Sequence, residues 1–138
     1  MSTPDHLAAL ITYLQAQPAI EALVGARVYG LELPPAELAA MPRQTLMLRW
    51  SGGIGGSYRL LSVWRLDVWA YGATPYEAGA LHRVAHSVLK HLSREVSGGV
   101  LLHSLEEGGG PLPIREPETY WPAVVQAWQL FAGDIPAE

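Results

Sequence analysis

Between residues 58 and 92 the apolar residues change period, and a helix cap sits at the change. In residues 58–71, Leu60, Trp64, Leu66, Val68 and Ala70 alternate with Arg65, Asp67, Trp69 and Tyr71, the two-residue repeat of an extended strand. The first set predicts a core face. The second mixes charge with large aromatics, which suits a sheet face left partly open for a subunit contact, or equally a row of ordinary solvated strand residues. Gly72-Ala73-Thr74-Pro75 interrupts the run. Thr74 is placed to cap, Pro75 to open a helix and Glu77 to complete a capping box. The following helix reaches about Leu92 and carries Leu81, Val84, Ala85, Val88, Leu89 and Leu92 on one stripe. His82, Arg83, His86, Lys90 and Arg94 fall on its exposed side, and Gly98-Gly99 is the predicted stop. A long strand handing directly to a long amphipathic helix confines the chain to folds that pack helix on sheet.

The flanking segments fill in such a fold. Thr3-Pro4-Asp5 reads as a helix start with Thr3 as cap, followed by a stripe of Leu7, Leu10, Ile11 and Leu14. Pro18 ends or restarts that helix, residues 19–24 form a further short turn, and Gly25 is a C-cap. Arg27-Val28-Tyr29 is extended, and Pro34-Pro35 and Pro42 bracket a loop with one helical turn over residues 36–41. Residues 44–50 form a strand with Leu46, Leu48 and Trp50 as its inner set. Residues 51–57 hold four glycines and read as a mobile hairpin tip. A strand over 100–105, a Gly/Pro loop over 106–113 and a closing strand over 120–132 complete the chain. In the closing strand both faces are apolar apart from Gln126 and Gln129, which places it centrally or against a neighbouring subunit. The expected architecture is one α+β domain over residues 1–138, a mostly antiparallel sheet with two principal helices packed on one face.

Composition narrows the function. A chain of 138 residues, 49% hydrophobic with a net charge of −4, folds rather than remaining disordered. Without cysteine there is no disulfide framework, thiolate metal site or thiol nucleophile. No apolar run approaches the ~18 residues of a membrane span, and no basic-then-apolar leader opens the sequence; the expectation is a protein made in the cytoplasm and kept off membranes. Acidic residues concentrate after residue 98, with six acids against one base, and only one lysine is present among nine bases overall. Such a chain lacks the clustered cations that grip nucleic acid, although DNA could pass an acidic surface.

Catalytic patterns are equally scarce. The glycines at 51–57 lead into a strand, not into the helix a phosphate cradle requires. His82 and His86 share a helix face at metal-binding spacing, but His-Arg-Val-Ala-His lacks the glutamate of a zinc-protease helix. No serine lies in a nucleophile elbow. Glu106-Glu107 sits beside three glycines without a fixed separation, so an acidic loop tip accounts for it. Trp64, Trp69, Trp121 and Trp128 could stack on a ligand, but suit core and interface better. The reading is no enzyme, no metal and no cofactor.

Three stretches carry a likeness to a known family: PAIEALVGARVYG after the opening helix, RLDVWAYGATPYEAGALHRVAHSVLKHL, and the late glycine loop before a final strand. Together they resemble the tail-terminator, or tail-completion, proteins of long-tailed bacteriophages, over most of residues 5–92 and more loosely 98–132. The stretch from Pro34 to Pro42 fits that pattern less well. The resemblance implies a structural ring, usually hexameric, at the head-proximal end of the tail tube. Such a ring stops tube polymerisation and meets the head connector, with DNA only passing through the lumen. Expected partners are copies of itself, the tube protein and the connector protein; the expected location is the tail neck of a virion made in the host cytoplasm. Three surfaces are candidates. Arg65, Asp67, Trp69 and Tyr71 would form the subunit interface. The loops with Gly52, Gly53, Ile54, Gly55 and Gly56 and with Glu106, Glu107 and Gly108 would dock partners. The helix face with His82, Arg83 and His86 would form the third. A head-completion adaptor ring on the portal, or a module binding a small ligand or peptide in a Trp-lined pocket, are the alternatives.

Overall fold

The computed structural model describes residues 5–53 and 62–134. The chain opens with α1 (His6–Gln15) and α2 (Pro18–Val24), passes through β1 (Val28–Gly30) and α3 (Pro35–Ala40), and then lays down β2 (Thr45–Gly53) and β3 (Ser62–Tyr71). The long helix α4 (Pro75–His91) follows, then β4 (Glu95–Ser97), β5 (Val100–Glu107), β6 (Leu112–Arg115) and β7 (Pro122–Asp134). The described strands form one sheet in the order β1-β2-β3-β7-β5-β4, with β6 beside β7. Only β1 and β2 run parallel; every other pair is antiparallel. The α+β class and the central place of the closing strand agree with the sequence reading. Among the described residues no single helix is long and apolar enough to cross a membrane.

The two-residue repeat sorts side chains to opposite sides of this sheet. Leu46 and Leu48 of β2, Leu66, Val68 and Ala70 of β3, and Trp128, Leu130 and Ala132 of β7 are buried under α1, α2 and α4. Leu10 and Leu14 of α1, Ile20 of α2, and Leu81, Ala85 and Leu89 of α4 fill the other half of that core. Gly30 allows α1 to approach, since a Cβ there would stand 2.8 Å from Ile11 Cδ1. Gly72 makes the strand-to-helix joint: a Cβ would collide with the backbone of Glu77 and Ala78. Thr74 caps α4 by accepting from the Glu77 amide at 3.2 Å, while the Glu77 carboxylate accepts from the Ala73 amide at 3.3 Å.

The opposite side of the sheet has a smaller core of its own. Leu33, Met47, Tyr71 and Ala123 are buried there, with Tyr29, Met41, Trp69, Ile114 and Trp121 packed around them. One side group fastens this layer. Glu37 of α3 is buried and pairs bidentately with Arg43 at 2.7 and 2.8 Å, accepts from the Tyr29 hydroxyl at 2.9 Å, and lies 3.4 Å from the Thr45 hydroxyl.

Several local expectations are corrected. Asp5, not Thr3, caps α1 among the described residues, accepting from the Ala8 amide at 2.9 Å. Gly98-Gly99 does not stop α4. The helix ends at His91 because Leu92 turns into the core, Arg94 takes a positive φ off the helix, and the two glycines form the β4–β5 turn instead. Val84 and Val88 remain half-exposed beside α2. The 106–113 loop is shorter than expected: Glu106 and Glu107 pair with Gln129 and Trp128, and Leu112–Arg115 pairs further along β7. Pairing with β7 thus overrides the glycine content on both sides of residues 108–111.

The Glu37 cluster generates a prediction. Arg43, then Tyr29, hold the Glu37 carboxyl below its ordinary value against the opposing effect of burial. Its contribution to stability is therefore complete above the ordinary carboxylate range and is lost as pH falls through the lower folded value. Glu37→Ala should destabilise the chain by about 2 kcal/mol in urea denaturation at neutral pH, the worth of a charged hydrogen-bond acceptor whose main partner can turn to water. The deficit should shrink as both proteins are taken to acid.

Candidate functional site

The side of the sheet away from α4 is covered only in part. At one end α3 and the 116–121 turn lie over Met47 and Tyr71. Beyond them Arg49 and Arg65 are exposed, and Asp67, Trp69, Val125, Ala127, Gln129 and Phe131 are half-exposed. Asp67 stands between Arg49 on β2 and Ala127 on β7, and Arg65 between Gly52 and Gln129. Trp69 stacks against Tyr71 with ring centroids 5.9 Å apart, and the Arg49 guanidinium lies 6.0 Å from its ring. The Trp69 indole nitrogen is buried without a hydrogen-bond partner among the described residues.

Tyr71 departs from its neighbours. Strand parity groups it with Arg65, Asp67 and Trp69, but it is only 1% exposed, its ring meeting Trp121 edge-on and its hydroxyl donating to Glu116 at 3.3 Å. Burial, reinforced by Glu116, raises its pKa well above the ordinary phenol value. The 116–121 turn, invisible to strand parity, removes it from the open surface. Arg65, Asp67 and Trp69 do remain together on one accessible face.

The two loop candidates separate. Gly52 sits at a bulge in β2 with φ of 111°, a conformation open mainly to glycine, and Gly53 ends that strand. Ile54, Gly55 and Gly56 lie outside the described residues. At the other loop, Glu106 is exposed, but Glu107 is fixed and not a free acidic tip. Gln126 donates from its amide nitrogen to Glu107 Oε1 at 2.8 Å and to the Gly109 carbonyl at 2.9 Å, and His86 Nε2 lies 2.7 Å from the same Glu107 oxygen. The Gly108 amide donates to the Ala127 carbonyl at 2.8 Å. Donation from Gln126 first and His86 second lowers the pKa of Glu107.

This cluster also corrects the picture of solvated helix histidines. His86 packs against Trp128 with ring centroids 5.5 Å apart, and His82 is half-buried with its ring 5.8 Å from that of His86. Burial, then the neighbouring His86, lowers the pKa of His82. Arg83 alone of the three points freely into solvent. Among the described residues no group of three or more potential ligands is arranged to hold a metal ion. What the arrangement offers is a sheet face of interleaved arginine, acid and aromatic, and a glycine loop tied to α4 through Gln126 and Glu107. Gln126 was legible as the polar exception on the buried face of an apolar strand; its two acceptors were not.

Comparison with known proteins adds a fold. No protein-family pattern matches the chain, and no curated sequence is similar to it. A chain in the solved structure of the virion of a native gene transfer agent (GTA) particle superposes with a TM-score of 0.67 at 18% identity, covering 93% of this chain and 94% of that one. At that identity the shared property is the fold, over nearly the full length of both chains.

Gln126→Leu should release both Glu107 and the Gly109 carbonyl while keeping the strand. In an NMR experiment the Glu107 pKa should rise towards the ordinary carboxylate value, and amide exchange at residues 108–110 should quicken while the amides of β3 keep their protection.

Proposed function

We propose that this chain is a structural virion protein whose copies form a ring on the head-proximal end of a phage tail tube, ending tube growth and joining the tube to the head connector. The observation that carries this reading is the nearly full-length fold likeness to a chain of a gene transfer agent virion. It meets, on independent grounds, the resemblance of residues 5–92 to tail terminators. The ring would be six-fold by that resemblance, located in the tail neck, with DNA only in passage and no catalytic role.

The half-covered sheet face supports the reading physically. An isolated domain gains by burying apolar strand residues, and here Trp69, Val125 and Phe131 stay half-exposed beside two arginines. Aromatics and arginine are what the centres of protein interfaces enrich. Arg65, Asp67 and Trp69 are thus assigned to subunit contact. The glycine-bearing ends of β2 and β5 are assigned to the tube or connector, and the His82-Arg83-His86 face to a further contact within the neck. Tyr71 supports the interface from beneath.

Native mass spectrometry over a concentration series, with negative-stain imaging, tests the ring. A closed ring, or capping of preformed tubes by a protein that is monomeric alone, is the expected result; a strict monomer that leaves tubes uncapped refutes it. Capping of tubes, as opposed to binding a portal, also separates the terminator from an adaptor ring. Arg65→Glu should weaken ring formation with the melting temperature nearly unchanged, because exposed substitutions alter folding stability by roughly 0.5 kcal/mol or less. Glu106→Lys should leave the ring intact and impair DNA delivery if the β5 end lines the lumen; unchanged infectivity would place it elsewhere. Glu107 is unsuitable for that test because its carboxylate holds Gln126 and His86.

A further inference from the structure

Two features of opposite shape and charge lie on opposite sides of the sheet. The first is the turn over residues 116–121. Its backbone is closed by the Glu116 amide on the Trp121 carbonyl at 3.0 Å and the Tyr120 amide on the Glu116 carbonyl at 2.8 Å. The Thr119 hydroxyl donates to Glu116 at 3.0 Å, and Arg115 donates to the Tyr120 carbonyl at 3.1 Å. Within this frame Tyr120 holds φ of 62°, a conformation an aromatic residue rarely adopts, and is 69% exposed. The Arg115 guanidinium sits 5.6 Å from its ring. A strained backbone that fixes a large aromatic in water does nothing for the core; strain of this kind persists where a side chain must be presented. Exposed Glu118 stands beside it.

The second feature is a hollow of about 500 Å³ between α2 and α4, on the helix side. Ala19 and Leu23 form one wall, Ala80, Val84 and Val88 the other, and exposed Arg83 stands at the rim. Its floor is apolar and the charge at its rim is positive, whereas the turn is aromatic and, with Arg115 against the ring and Glu116 and Glu118 beside it, carries one more negative than positive charge.

We infer that the Tyr120 turn of one copy seats in the α2–α4 hollow of the next, with Glu118 facing Arg83. This deepens the ring reading and rests on it. A contact between two different patches is head-to-tail, and repeated by rotation it generates a closed ring or a filament, whereas a contact between like patches stops at a pair. The turn adjoins the open sheet face with Arg65, Asp67 and Trp69, so one copy would lay that whole side along the helical side of its neighbour. Preorganisation of the turn removes part of the ordering cost of association.

The absence of cysteine from the chain allows a direct test. Tyr120→Cys and Val84→Cys are made separately, checked for an unchanged melting temperature when reduced, then mixed and oxidised in the full chain. The contact requires a disulfide between the two variants in the mixture and none within either alone; the double variant should give a covalent series ending at the ring number. Cross-linking of either variant with itself only, or no mixed disulfide, overturns it. Native mass spectrometry of the unaltered chain in the same buffer keeps the two ideas apart: a ring without the mixed disulfide rejects this contact and leaves the ring, while for a chain monomeric alone the oxidation is repeated on preformed tubes, where capping without the mixed disulfide rejects this contact and no capping rejects the ring. Independently, Tyr120→Ala should lower self-association about thirty-fold, the scale of an aromatic anchor. Glu118→Arg and Arg83→Glu should each weaken association, and the two together should recover it; no recovery would remove the charge pairing.

Discussion

The architecture hangs on one strand. β7 runs from Pro122 to Asp134 and is hydrogen-bonded along one edge to β3 and along the other to β5 and then β6. Its even-numbered side chains, among them Trp128, Leu130 and Ala132, complete the core beneath the helices. Its odd-numbered ones, Val125, Ala127, Gln129 and Phe131, floor the open face. Because the side-chain period of a strand is two, a slip of one residue in β7 would exchange core and surface at once. The Gln126 amide, bonded to Glu107 and Gly109, gives that register a polar lock that apolar packing alone would lack.

What could be read from the chain followed this local physics. The alternation in β3, the capping box at Thr74 and the apolar stripe of α4 are patterns within a few residues, and the structure reproduces them. The same is true of the central place of β7, inferred from two apolar faces. The misreadings that bear on the candidate site came from partners distant in sequence. Tyr71 is covered by a turn 45 residues later, and Glu107 is straightened and held by Gln126 and His86. Tyr120 has no local signature at all, since a non-glycine residue with positive φ is imposed by its surrounding hydrogen bonds. Of the open face, Arg65, Asp67 and Trp69 could be placed together from parity alone; what that parity could not tell is which part of the face the chain covers for itself.

The two sides of the sheet divide labour unequally. The helix side is a deep, almost entirely apolar core, as stability requires. The other side is thin, held at one end by the Glu37–Arg43 pair and left open at the other. A layer pinned by polar contacts and lacking a full hydrophobic cover is suited to receiving a neighbour, because little intramolecular packing must be undone to bury it.

The central position of β7 also sets an order of events during synthesis. It is translated after every other described strand, yet β3 and β5 meet only through it. Until residues through 134 have left the ribosome, the sheet is two unjoined halves, and the open face lacks its floor. A nascent chain therefore cannot display the open face in finished form before its last described strand is in place, however early its helices form.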